Sequence, residues 1–136
     1  MITVLDTTAF AAAMRSEPEM EAFLQARRPG ALATAAPVVA EIEYGIRRLE
    51  AGSRRRRLLE EERDRLLGVL PILPWTPESS ARFGDVKAAL ERAGEPIDDF
   101  DVAIAAIALS RGAEVLTANL PHFRRVRGLS SRHWSQ

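Results

Sequence analysis

With 136 residues, 46% of them hydrophobic and 28% charged, the chain has the size and balance of one soluble globular domain, 1–136. Nineteen basic and 19 acidic side chains cancel, so overall charge is excluded as a means of holding a polyanion. The absence of cysteine excludes disulfides and thiolate metal sites and points to a reducing compartment.

No basic flank of the signal-peptide kind precedes the first apolar run, and Asp6 interrupts that run. The longest apolar stretch, "VAIAAIAL" at 102–109, is too short to cross a bilayer, so the expectation is a cytoplasmic protein with no membrane partner.

In chain order, "ITVL" reads as a buried strand, followed by a helix from Thr8 toward Met14 and another over about Pro18 to Arg27. "GALATAA" is a second strand. Pro37 opens a helix through about Glu50, closed by Gly52, and "SRRRRLLEEERDRLL" is a charged helix ending near Gly68. The prolines of "VLPILPW" confine it to a short or edge strand. Pro77 to Ala93 is an amphipathic helix closed by Gly94. Asp98 or Asp99 caps an apolar helix ending at Gly112, and "AEVLTAN" and "GLSSRHW" are the last two strands. Strands alternating with helices predict an α/β domain with a central parallel sheet of about four or five strands flanked by helices.

Ligands of such sheets collect beyond the carboxyl ends of the strands, where Asp6 falls. An aspartate before a helix is also an ordinary N-cap, so Asp6 alone decides nothing. In "PVVAEIEYGIRRLEAG", Val38, Ile42, Ile46 and Leu49 mark the core stripe. Glu41 and Glu43 point about 200° apart. Glu43 has Arg47 at i+4, a surface pair, whereas Glu41 has Gly45 there and is the acid without an obvious structural role.

In "PIDDFDVAIAAIA", Asp98 and Asp101 have the spacing of a capping box, but Asp101 enters the first turn of a helix that is apolar all round and needs a partner. Asn119, just past a strand, reads equally as a turn residue or as a side chain facing the same pocket as Asp6. His122 beside Phe123 reads as a packed or exposed loop residue. Hard oxygen donors with no sulfur suit Mg²⁺, with Mn²⁺ as the other candidate.

Eighteen of the basic residues are arginine, and only Lys87 is lysine. The run Arg54–Arg57 reads as a salt-laced solvent face, with Glu60 and Glu61 at i+4 from Arg56 and Arg57, and Arg65 at i+4 from Glu61. No acid follows Glu114, while Arg124, Arg125, Arg127 and Arg132 do. That basic tail suits either a polyanion or a solvated end.

Taken together, "VLDTTAF", "VAEIEYGI", "PIDDFDVAIAAIA" and "LTANLPHF" resemble, in order and spacing, the four motifs of the PIN-domain ribonucleases of the VapC toxin type. The resemblance implies a single PIN-like domain and an RNA-hydrolysing toxin of a type II toxin–antitoxin system. It implies a divalent-metal site at Asp6, Glu41 and Asp101, with Asn119 as the fourth catalytic position. It also implies an RNA substrate, a cognate VapB-type antitoxin laid across segments 8–27 and 37–67, and a homodimer. Thr8 stands where the family's motif has asparagine, and His122 where an acid is frequent. A different class of enzyme, phosphotransfer through Asp6, lacks the second aspartate at position 8 and a lysine after a late strand. The alternative from outside enzymology is a non-catalytic PIN-fold protein that acts as a complex on DNA.

Overall fold

The opening run "TVL" forms β1 (Thr3–Leu5), and all three of its residues are buried, as a strand covered on both faces requires. The computed structural model describes every residue, 1–136. After β1 come α1 (Thr7–Met14), α2 (Pro18–Gln25), β2 (Leu32–Ala35), α3 (Ala36–Arg47) and α4 (Arg54–Leu67). Then follow β3 (Ile72–Leu73), α5 (Pro77–Arg92), α6 (Asp99–Ser110), β4 (Glu114–Leu116), α7 (Leu120–Arg124) and β5 (Ser131–Arg132). Every strand pairing is parallel and the sheet order is β3-β2-β1-β4-β5, the five-stranded α/β architecture expected.

Register is set by the central strand: Val4 lies opposite Ala33 of β2 and Val115 of β4. The core is continuous across the sheet, from Phe10 and Met20 through Val38 and Ile104 to Phe123. α6 is apolar on all sides because it is enclosed: Val102 and the run Ile104–Ala108 are all buried. Gly94 and Gly112, which close α5 and α6, adopt φ of 70° and 62°, where a Cβ would be strained.

Several elements depart from their expected bounds: β4 and β5 shrink to Glu114–Leu116 and Ser131–Arg132, and the short helix α7 forms where a loop was expected, Pro121 standing in its first turn. α3 stops at Arg47 rather than Glu50, because the Leu49 N–H bonds the Ile46 carbonyl three residues back and tightens the last turn. α2 stops at Gln25, and Arg27 folds over the Phe23 ring at 3.7 Å instead of continuing the helix. β3 shrinks to two residues at the sheet edge, since Pro71 and Pro74 on either side have no N–H to give a ladder.

The ion pairs expected along the arginine run do not form. Arg56 donates to the Leu49 carbonyl at 3.2 Å and Arg57 to the Gly52 carbonyl at 2.9 Å, while Arg65 pairs with Glu62 at 2.8 Å. The physical reason is proximity: the turn before α4 leaves carbonyls without helical partners, and these accept the nearest guanidinium donors. The face is nonetheless a solvated one, since Leu66 is the only fully buried residue of α4. Glu43 likewise takes Arg63 at 2.6 Å more closely than Arg47 at 3.8 Å.

Candidate active site

From β1 the chain steps outward to β2 and β3, then returns across the sheet to β4 and β5 on the other side of β1. The carboxyl ends of β1 and β4 therefore flank the point where the winding reverses, the place where an open α/β sheet forms a crevice. Asp6 stands there. Its backbone N–H bonds the Leu116 carbonyl at 3.1 Å, so main-chain hydrogen bonding itself joins the two strand ends.

The Asp6 side chain is 1% exposed and uses both oxygens. Oδ1 accepts the Ala9 N–H at 2.9 Å, capping α1, and the Thr8 hydroxyl at 2.7 Å. Oδ2 accepts the Thr117 hydroxyl at 2.6 Å. The cap reading of Asp6 thus holds on one oxygen, and the other is held by Thr117 at the end of β4. Burial raises its pKa most; the bonds from Thr117, Thr8 and Ala9 oppose this, the charge of Asp101 adds to it, and the net shift is upward.

Glu41 lies in the second turn of α3, directly behind β2, and accepts a short hydrogen bond from the Thr7 hydroxyl. Its pKa is also raised, first by burial and then, against the Thr7 bond, by the charges of Asp98, Asp101 and Asp6. Glu43, as expected, faces elsewhere and is held by Arg63 and Arg47.

Asp98 is the cap of α6, accepting the Phe100 N–H at 2.8 Å, and Asp99 pairs with Lys87 at 3.0 Å. The capping-box reading of Asp101 does not hold. Its Oδ2 lies 3.0 Å from His122 Nδ1 instead, because α7 packs against the start of α6 and brings an imidazole within reach. Burial raises the Asp101 pKa, the bond from His122 opposes it, and the charge of Asp98 adds to it.

Asn119 occupies the N-cap position of α7 without making a side-chain cap. Its amide nitrogen instead lies 2.7 Å from His122 Nδ1, so Asn119 reaches Asp101 only through the imidazole.

Asp101 therefore lies near enough to raise the proton affinity of Asp6, and Asp98, Asp101 and Asp6 that of Glu41, yet no three His, Asp or Glu side chains stand close enough in this arrangement to grip one ion. The donor chemistry still fits a hard divalent cation. In a chain with 18 arginines, none forms an ion pair with any of the three acids, and neither does Lys87.

The sequence assigned no role to three supporting side chains, although all three lie within the quoted motifs. Thr7 holds Glu41, Thr117 holds Asp6, and His122 holds Asp101. Only the doubled threonine of "DTT" hinted at the first. Thr8, in place of asparagine, still serves the site: its hydroxyl donates to Asp6 and accepts the Ala118 N–H at 2.8 Å, bridging β1 to the loop after β4.

Comparison with known proteins agrees with this architecture. The PIN domain family model matches residues 3–129. Ribonuclease VapC2 of Haemophilus influenzae is 34% identical over 105 residues, which cover 77% of this chain and 76% of that one. The tRNA(fMet)-specific endonuclease VapC of Shigella flexneri is 28% identical over 78% of this chain and 77% of its own. Among solved structures, VapBC2 from Rickettsia felis bound to a promoter DNA fragment superposes with a TM-score of 0.88 at 24% identity, covering 98% of this chain and 99% of that one. The chain belongs to the PIN-domain family, among the VapC ribonucleases.

Proposed function

We propose that the chain is a Mg²⁺-dependent endoribonuclease, the toxin of a type II toxin–antitoxin pair, which hydrolyses RNA phosphodiester bonds at a site made by Asp6, Glu41, Asp101 and Asn119. The observation that carries this reading is a set of three carboxylates, Asp6, Glu41 and Asp101, that no arginine or lysine neutralises in an arginine-rich chain. Like charges of this kind are tenable in a cleft when a divalent cation, Mg²⁺ or Mn²⁺, offsets them.

Such a cation would supply charge neutralisation at the phosphate and a water of lowered pKa. Asp6, fixed by three donors and out of solvent, is the rigid anchor of the set. Glu41, on a longer side chain tied only to Thr7, is the adjustable arm. Asp101 is oriented by the N–H of His122 Nδ1, and Asn119 lies alongside the same ring nitrogen. Attack by water needs no side-chain nucleophile, in keeping with a chain that has no cysteine.

The names of the relatives support RNA as substrate: one is a ribonuclease and another an endonuclease specific for tRNA(fMet). Several structural neighbours are complexes of VapC-type chains with antitoxins, which supports a VapB-type partner for this chain. A groove of about 380 Å³ beside Glu41, lined by Met14, Gly45, Ile46 and Leu59 with Arg15 and Arg55, suits an amphipathic segment of that partner. A cytoplasmic homodimer completes the reading.

Purified protein incubated with total RNA should cleave it in Mg²⁺ or Mn²⁺ and stop when EDTA is added; cleavage that persists in EDTA refutes the metal site. The open stance of the acids favours one second reading, a non-catalytic complex acting on DNA. Calorimetric titration with Mn²⁺ separates the two, since a saturable site belongs to the nuclease alone.

A further inference from the structure

We propose that two adjoining hollows on the α1 side of the acids form a nucleobase subsite, in which one unpaired base of an RNA strand stacks on His133, backed by Trp134, in the outer hollow while a neighbouring phosphate meets Arg15, beside Glu17, in the inner one. The proposal rests on the ribonuclease reading above and extends it to the form of the substrate.

The inner hollow has a volume of about 480 Å³, and Thr7, Thr8, Ala118, Arg15 and Trp134 line it. That volume lies within the range of clefts that hold small ligands, roughly 300–1,000 Å³. Its inner wall is shared with the acid site: Thr7 holds Glu41, Thr8 holds Asp6, and the Ala118 N–H is bonded to Thr8. A strand whose scissile phosphate lies at the acids has this hollow as an adjoining channel. A second hollow of about 360 Å³ continues it past Glu17 and Trp134 to His133.

The platform is built before any ligand arrives. The His133 and Trp134 rings stack at 4.0 Å between centroids and 23° between planes. Trp134 is 9% exposed and belongs to the core, whereas His133 is partly exposed. His133 Nδ1 accepts both the Ser135 N–H at 3.0 Å and the Ser135 hydroxyl at 2.7 Å. Two donors on one nitrogen place the ring proton on Nε2 and lock the ring orientation, so little side-chain freedom remains to be lost on stacking.

Aromatic platforms accept every base because each has a π-face, and they need the base released from a duplex. Arg15 supplies the cation. It is the only guanidinium lining the hollow, its side chain is 61% exposed, and its one ion partner is Glu17 at 2.6 Å. A stacked ring pair and a guanidinium in adjoining hollows suit a base and its phosphate. The substrate class is therefore RNA with unpaired nucleotides beside the cleaved bond. Trp75 packs edge-on against Phe83 and lines neither hollow, so it is free to be replaced in a test.

The experiment uses the full chain carrying Trp75→Phe and Asp101→Asn, which leaves Trp134 as the sole indole and prevents turnover. The probes are octa-adenylate RNA and the abasic ribose-phosphate octamer of equal charge, in Mg²⁺. Octa-adenylate should quench Trp134 fluorescence and bind about tenfold more tightly than the abasic octamer. His133→Ala should abolish that preference, and His133→Phe should retain it. Arg15→Ala should weaken both octamers alike. A preference that survives His133→Ala, or binding of both octamers with equal affinity, overturns the subsite. Cleavage of total RNA by the unaltered chain is scored separately, so loss of the base preference alongside intact cleavage sinks this proposal and spares the nuclease.

Discussion

Two helices, α1 and α6, each begin with an aspartate cap, and they distribute the work differently. At α1 a single residue, Asp6, caps the helix through one oxygen and meets Thr117 through the other, fully buried. At α6 the duties are spread over three residues: Asp98 caps while its charge also reaches Glu41 and Asp101, Asp99 pairs with Lys87, and Asp101 takes His122. The difference teaches that a buried acid can serve fold and site together only where strand ends supply several donors. A helix start nearer solvent spreads the two needs over several residues.

The sharpest way to break this comparison is substitution at each helix start. Asp6→Ala should reduce RNA cleavage by about a thousandfold or more. It should also cost about 2–4 kcal/mol of stability, since a cap is lost and the Thr117 hydroxyl is left buried without its acceptor. Asp101→Ala should match the loss of cleavage while unfolding in urea within about 1 kcal/mol of the wild type, because no cap depends on it. Equal destabilisation by the two would erase the distinction between fused and divided duties.

Cation and pH come next. At a hundredfold excess over its dissociation constant, Mn²⁺ should stabilise the wild type by about 2.7 kcal/mol and leave Asp101→Ala unmoved, as read by thermal melting. In EDTA the sign is fixed by the raised pKa values of Asp6, Glu41 and Asp101. Groups that hold protons more tightly in the folded chain make stability fall as pH rises from the unfolded value, about 4, through the folded one. Asp101→Asn should flatten that fall, and a wild-type melting point that climbs across the same window would contradict it.

The smallest effects belong to the two structural acids of α6. Asp98→Ala should cost about 1 kcal/mol as a lost cap, with cleavage retained. Asp99→Ala, losing only an exposed pair with Lys87, should change stability by less than about 1 kcal/mol and leave cleavage as it was.

Much of the fold was legible because its signals are local. The apolar run before Asp6, the prolines around β3 and the glycines after α5 and α6 each act within a turn of their own position. Distinguishing Glu41 from Glu43 was also local, since helical phase and one i+4 arginine separate them. The arginine pairs of α4 were misread because the competing acceptors, the carbonyls of Leu49 and Gly52, belong to a turn whose path the charge pattern does not encode. His122 was undervalued for a related reason. Its partner Asp101 lies 21 residues earlier, and only the packing of α7 on α6 brings them together.

By itself the sequence determined the order of the five strands and of six helices, the parallel sheet and the three carboxylates worth following, because hydrophobic period, caps and breakers act over a few residues; α7, read as loop, was missed. Tertiary structure alone decided which hydroxyl holds which acid, that Asp98 rather than Asp99 caps α6, and that His133 and Trp134 lie along the same trough as Thr7 and Thr8. Those contacts join strand ends and helix starts up to 111 residues apart, and their geometry exists only once the sheet has brought the ends together.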